Sequence, residues 1–326
     1  MRMGFRLVAL ALLWPGLALA QPKTPEASGR KVALVKMPYR GERNLPDLSD
    51  VPDYLEKGDL QKVLEGQGCR LKPISTVALG PEDQKAYGEW NRLGLANGTL
   101  ARIVAADRKE GYFPVGLLAN CSSLMGMLAG LQHSGATSRP LRVGLVFIDA
   151  HGDINTPETT LSGMLGGMPV AISAGLCLSR LRLKSGLDPA LPESHIVLGG
   201  VRDTDPLEQD TIDRSQVELL SVDDIKTRSA NIDRQMKRLS EATDVIYVHV
   251  DMDVLDPREV AGHPLTVPNG PTSLELGAAL TQMFKYEKAA AFGVASTPSF
   301  DHDKDGISRQ AAYNLILGAL KGLQQR

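Results

Sequence analysis

The chain has 326 residues, 43% of them hydrophobic and 23% charged, which excludes the disordered and fibrous classes. Lys and Arg number 36 against 38 Asp and Glu, a net charge of -2, so no basic excess exists to neutralise a phosphate backbone and no nucleic-acid partner is expected. The first segment reads as a targeting signal: Arg2 and Arg6 precede an apolar run from Leu7 to Leu17, and Ala18-Leu19-Ala20 before Gln21 is a small-x-small cleavage site. The run is too short for a membrane span of ~20 residues, so residues 1–20 are expected to be a signal peptide and the mature protein to be secreted or periplasmic, with no membrane contact after cleavage. Removing Arg2 and Arg6 takes the net charge from -2 to -4. Residues 21–30 lack apolar periodicity and read as a flexible leader.

From Lys31 onward short apolar runs alternate with helical spacing. Val32–Val35, Val115–Leu118, Val143–Ile148, Ile196–Leu198, Val245–Val250 and Ala289–Val294 predict buried strands. Tyr54–Leu64, Gln84–Arg108, Ser122–Leu131, Ile225–Ser240, Ser273–Met283 and Ser308–Leu323 predict helices. Strand alternating with helix argues for a mostly parallel sheet covered on both faces, a three-layer α/β/α sandwich formed by one domain over 31–326. Cys69, Cys121 and Cys177 are an odd number and do not read as a disulfide framework.

Acidic residues gather where the apolar strands end. Val146-Phe147-Ile148 runs into Asp149-Ala150-His151-Gly152-Asp153, and Tyr247-Val248-His249-Val250 runs into Asp251-Met252-Asp253. Alternate residues share a face, so each pattern projects its donors together, at the strand ends where open α/β sheets bind ligands. A D-x-D after a strand is also how turns and helix N-caps are built; its recurrence at two strand ends points to a pair of hard divalent ions. Asp301-His302-Asp303-Lys304-Asp305-Gly306 copies the first half of a calcium loop, but its twelfth position is Ala312 where a bidentate Glu is needed.

The span from Asp149 to Pro157, continued by Thr159, Thr160, Ser162 and Gly163, resembles the signature of the ureohydrolases, the arginases, agmatinases and formiminoglutamases. Asp251-Met252-Asp253-Val254-Leu255-Asp256-Pro257 is similar to the second motif of that family, and Val201-Arg202-Asp203-Thr204-Asp205-Pro206 to the segment between them. The resemblance implies an arginase-like sandwich and a two-manganese centre at which water is activated to attack a guanidinium carbon and urea leaves. It implies that Asp149 and Asp251 bridge the metals, that Asp153 completes the first site and that His151 and Asp253 complete the second. It further implies that Asn155, Thr160 and Ser162 bind an α-carboxylate, that Asp205 and Glu208 face an α-amino group, and that the protein assembles as a homo-oligomer around a small-molecule substrate.

The departures from the family pattern are chemical. Cys121 stands where the last imidazole ligand of the first metal is expected, and a thiolate there would favour zinc, iron or nickel over manganese. Gly166 replaces the proton-shuttling His, Ala295 replaces the Glu that grips the guanidinium, and Met164 replaces an Asn of the carboxylate side. His263, in the loop after Asp253, is the candidate for a relocated proton shuttle. Two readings follow: a metal-dependent hydrolase of a C–N bond in an amino-acid-like substrate, inefficient on arginine, or a catalytically silent relative that binds an amino acid or a partner. On export the expectation is specific: N-terminal sequencing of the protein from its native host should begin at Gln21, and a chain retaining Met1 in the cytoplasm would contradict it.

Overall fold

The computed structural model describes residue 1 and residues 29–39 and 49–326; the expected signal at 2–20 and the leader at 21–28 lie outside the described residues. Nine strands form one sheet: β1 (Lys31–Met37), β2 (Arg70–Leu71), β3 (Ser75–Thr76), β4 (Phe113–Leu118), β5 (Val143–Ile148), β6 (Ile196–Gly199), β7 (Glu218–Leu220), β8 (Val245–Asp251) and β9 (Ala289–Ala295). Their order is β2-β1-β4-β9-β8-β5-β6-β7, with β3 also on β1, and every pairing is parallel. All six predicted strands are present. β4, β5 and β6 are buried at every residue, which is why they read as unbroken Val/Leu/Ile runs rather than alternating ones.

Among the described residues twelve helices accompany the sheet: α1 (Val51–Lys57), α2 (Leu60–Gly66), α3 (Pro81–Lys85), α4 (Glu89–Lys109), α5 (Leu124–Gln132), α6 (Pro169–Ala174), α7 (Ser179–Lys184), α8 (Pro206–Arg214), α9 (Val222–Thr227), α10 (Ala230–Ala242), α11 (Ser273–Met283) and α12 (Ile307–Gln324). α1, α2 and α9 to α12 pack on one face around Val248, Val250 and Phe292. α4 to α7 pack on the other around Leu145, Phe147 and Tyr247. Among the described residues no helix is long and apolar enough to cross a membrane, and all three cysteines are free.

Three predicted helices are each two helices. The 54–64 segment breaks at Gly58 and Asp59, the latter left-handed at φ 65°. The 84–108 segment breaks before Glu89, and the 225–240 segment turns at Arg228, φ 54°, after which Ser229 caps α10 by accepting from Asn231 N–H. The Asp301–Gly306 stretch serves α12, since the Asp303 carboxylate accepts from the N–H groups of Ser308 and Arg309 and from the Tyr54 hydroxyl.

α11 and α12 touch closely enough to require glycine. A Cβ at Gly318 would lie 2.3 Å from the Gly277 carbonyl oxygen. Gly318→Ala should force the helices apart and lower the unfolding free energy by roughly 1–3 kcal/mol, read as a lower midpoint in chemical denaturation.

Candidate metal centre

The strand order brings the C-terminal ends of β4, β9, β8, β5 and β6 side by side, and the connection from β4 to β5 crosses over β9 and β8. Such a crossing opens a crevice at the strand ends. Asp251 is the last residue of β8, and Asp149 follows β5 directly, its N–H donating to the Gly199 carbonyl at 2.9 Å. Asp153 is left-handed at φ 50°, and its carbonyl accepts from the first N–H groups of α6, Val170 at 2.9 Å and Ala171 at 3.3 Å. Asp253 knits the two acidic segments together: its N–H donates to Asp251 Oδ1 at 3.1 Å and its own Oδ1 accepts from Ala150 N–H at 3.3 Å. Cys121 opens the tight turn ahead of α5.

These placements bring all six sequence-predicted metal residues together. Ligand-type atoms of Cys121, Asp149 and Asp153 lie within 4.8 Å of one another, as do those of Asp149, His151 and Asp253, and those of Asp251, Asp253 and His263. His151 Nδ1 is 3.3 Å from Asp149 Oδ1 and 3.2 Å from Asp253 Oδ2. Burial opposes its charge, yet these two carboxylates hold its proton and push its pKa up to about 12. Burial likewise opposes the charge of Asp149, but His151 holds that carboxyl below the usual range. Burial and then the Asp149 charge drive Asp153 and Asp253 well above the usual carboxylate range and Asp251 up to about 7. The Cys121 thiol is raised by burial and then by Asp251, to whose Oδ2 it donates at 2.8 Å. A donor set this acidic, with one imidazolium to balance it, is what divalent cations neutralise.

A cleft of 430 Å³ opens onto the cluster, lined also by Asn155, Ser162, Met164, Gly166, Asp205, Glu208, His263 and Ser296, a size suited to a small molecule. Asn155 Nδ2 donates to Asp205 Oδ2 at 3.2 Å, and Asn155 Oδ1 accepts from the Thr159 hydroxyl at 2.8 Å. Thr160 stands outside the lining; its hydroxyl accepts from Gly163 N–H at 3.1 Å and lies 3.3 Å from that of Ser162. Glu208 reaches the cleft, but one oxygen accepts from Ile154 N–H at 3.0 Å and the other from Asp205 N–H at 3.3 Å, the capping box of α8. Its carboxylate orders the two loops, which limits what it can offer an amino group.

Three residues were not singled out from the sequence. Arg202 spends its guanidinium on carbonyls, Pro268 at 2.8 Å, Gly200 at 3.0 Å, Val267 at 2.8 Å and Val254 at 3.2 Å, and so ties the loops after β6 and β8. Ser296 leaves β9 in the left-handed region, φ 62°, which aims its hydroxyl at Asp251 Oδ2, 2.6 Å away. His249 is fully buried behind Cys121, its Nε2 3.2 Å from Sγ. The alternation of Tyr247, His249 and Asp251 on β8 was the signal available for the last of these.

The sequence model of the arginase family matches residues 32–321. The arginase of Bacillus caldovelox is 29% identical over 248 residues, 76% of this chain and 75% of its own. Among solved structures, arginase from Bacillus subtilis superposes with a TM-score of 0.78 at 23% identity, covering 89% of this chain and 98% of that one. Formimidoylglutamase from the same species gives 0.68 at 17% identity, covering 95% and 96%.

The raised groups set the pH response of the metal-free protein. His151 contributes stability below its unfolded pKa of about 6.5 and loses it as pH climbs towards 12. Asp251 loses its contribution as pH rises through about 7, and Asp153 and Asp253 move the same way. The buried imidazoles of His249 and His263, lowered to about 3 and about 4, are neutral in the folded state, and the unfolded state sheds its own imidazole protons by about pH 7.5, so their opposing effect is confined to the start of the interval above pH 6.5. The melting temperature after chelation should therefore fall between pH 6.5 and 8, and excess manganese should remove or reverse the slope. A metal-free melting temperature that rises over that interval would refute this account of the cluster.

Proposed function

Because the chain belongs to the arginase family, we propose that it is a metal-dependent hydrolase that splits a C–N bond in the amidino or related group of an amino-acid-like small molecule and that it is inefficient on arginine. One observation carries this reading: Cys121, Asp149, His151, Asp153, Asp251 and Asp253 converge on a single cleft, while β9 ends there in Ala295 and not in a carboxylate. Asp149, Asp153, Asp251 and Cys121 would hold a first ion, and Asp149, His151, Asp251 and Asp253 a second. Oxygen-rich ligation suits manganese, and the Cys121 sulfur brings zinc, iron or nickel within range at the first position. When bound, such ions supply hydroxide at neutral pH and Lewis acidity towards the C–N carbon.

The remaining steps belong to the chain's own side chains. Asn155, Ser162 and Asp205 line the cleft away from the cluster and suit the two charges of an amino-acid end, with Thr160 acting through Ser162 and Glu208 through the loop it caps. His263 Nδ1 accepts from Leu265 N–H at 3.2 Å, which leaves the ring proton on Nε2, buried without a partner and 3.8 Å from Asp251 Oδ1. A second ring proton would meet that N–H, and burial lowers the pKa to about 4. On this reading His263 serves as a neutral hydrogen-bond donor to charge developing in the cleft. An exported homo-oligomer completes the proposal; export is supported by Arg2, Arg6 and the Ala18-Leu19-Ala20 site.

Protein loaded with manganese, zinc or nickel should release urea from arginine well below roughly 1 per second, yet release urea, formamide or ammonia from some member of a panel of amidino and formimino amino acids. His263→Gln, which keeps an N–H near the Nε2 position, should retain more of that turnover than His263→Ala. Fast arginine hydrolysis would overturn the specificity, and metal-replete protein inert on the whole panel would make the chain a silent relative.

A further inference from the structure

The first metal position lacks the imidazole the family resemblance predicts, but an imidazole stands directly behind it. Tyr247, His249 and Asp251 alternate along β8 and so share the face turned towards α5; Tyr247 and Cys121 belong to the same apolar cluster. The His249 ring is fully buried and stacks on Phe147, centroids 5.1 Å apart and planes 9° apart. Both ring nitrogens are engaged, Nδ1 at 2.9 Å from the Tyr247 hydroxyl and Nε2 at 3.2 Å from Cys121 Sγ. The hydroxyl has room only because residue 293 is glycine, where a Cβ would lie 2.0 Å from it.

This arrangement fixes the direction of each hydrogen bond. A phenol is the better donor and an imidazole nitrogen the better acceptor, so the Tyr247 O–H donates to Nδ1 and the ring proton resides on Nε2. That proton faces sulfur. Cys121 Sγ in turn lies 2.8 Å from Asp251 Oδ2 and 3.9 Å from Asp149 Oδ2, with the imidazole on one side and the ligand carboxylates on the other.

We propose that His249, with its tautomer set by Tyr247, is the positioning residue for Cys121: it donates its Nε2–H to Sγ and so holds the sulfur facing the first metal position. The inference rests on the reading that Cys121 is a metal ligand, and it adds what makes the sulfur one. Partners that orient a ligand in this way are worth roughly 10–100-fold in metal affinity.

Cobalt(II) titration of the full chain after chelation tests both ideas separately, because a cobalt–thiolate bond absorbs in the near ultraviolet where carboxylate and imidazole ligation does not. The unmodified protein should show this absorption and Cys121→Ser should lose it. His249→Ala should weaken cobalt affinity by about ten-fold or more and diminish or shift the absorption, Tyr247→Phe should move both in the same direction, and His249→Gln should restore part of each. If Cys121→Ser abolishes the absorption while His249→Ala and Tyr247→Phe leave band and affinity as in the parent, the sulfur orients itself and the proposal is overturned with Cys121 ligation intact. If the parent shows no thiolate absorption, or Cys121→Ser retains it, Cys121 is not a ligand and both statements fall. Should His249→Ala not fold, Tyr247→Phe, which leaves the imidazole in place, decides the matter alone.

Discussion

Four carboxylates buried within reach of one another, those of Asp149, Asp153, Asp251 and Asp253, are the constraint around which the strand ends are organised. A lone ionised carboxylate is costly to bury, and neighbouring like charges add to the cost. The chain meets that cost in part with fixed donors. His151 N–H reaches Asp149 Oδ1 at 2.7 Å, Asp253 N–H reaches Asp251 Oδ1, and the Ser296 hydroxyl and the Cys121 thiol both reach Asp251 Oδ2. These bonds fix the carboxylate directions before any cation arrives; what binding still requires is the loss of the protons held by His151 and Cys121.

Holding such a cage requires a stiff frame, and the parallel sheet supplies it. β8 and β9 end in register, Asp251 opposite Ala295, and β5 pairs with β8 through Ile148 and Val250, so the donors of two distant sequence segments start from adjacent strand ends. Beyond the strands the backbone turns away, and Arg202 takes over. Its three guanidinium nitrogens donate to the carbonyls of Gly200, Val254, Val267 and Pro268, a role a lysine's single ammonium could not fill. The cleft is thus rigid at its floor through the sheet and at its side through one guanidinium.

What could be read from the sequence follows from how strongly each feature is determined locally. The central strands were legible because both faces are covered, which leaves few polar residues to blur the run. β2, β3 and β7 were not, since two or three half-exposed edge residues carry no period. Helix breaks at Asp59 and Arg228 were missed because neither residue type announces a left-handed turn as glycine does. The acidic cluster was visible in the D-x-H-x-D and D-x-D spacing. Ser296 and Arg202 were not, because their roles depend on partners, Asp251 and the 263–268 loop, that only the folded chain brings near. His249 lies inside the 245–250 apolar run, and its position two residues before Asp251 puts it on the ligand face.

The chemistry that departs from the arginase pattern is unevenly distributed over the sheet. Cys121 follows β4, Ala295 and Ser296 end β9, and His249 lies on β8, three strands that are neighbours in the order β4-β9-β8. Asn155, Ser162 and Asp205 belong to loops after β5 and β6, and Glu208 to the first turn of α8, on the other side of Asp251. Met164 and Gly166 line the cleft from the segment between β5 and α6. The family resemblance puts a guanidinium-gripping carboxylate and the last imidazole of the first metal position on the β4-β9-β8 side. It now presents a thiol backed by an imidazole and a small hydroxyl on the bridging aspartate. A bidentate partner for a planar cation is gone from that end, while polar groups for an amino-acid end remain at the other. On the proposed hydrolase reading, a substrate matched to this cleft keeps the amino-acid end and carries a smaller or differently substituted C–N group.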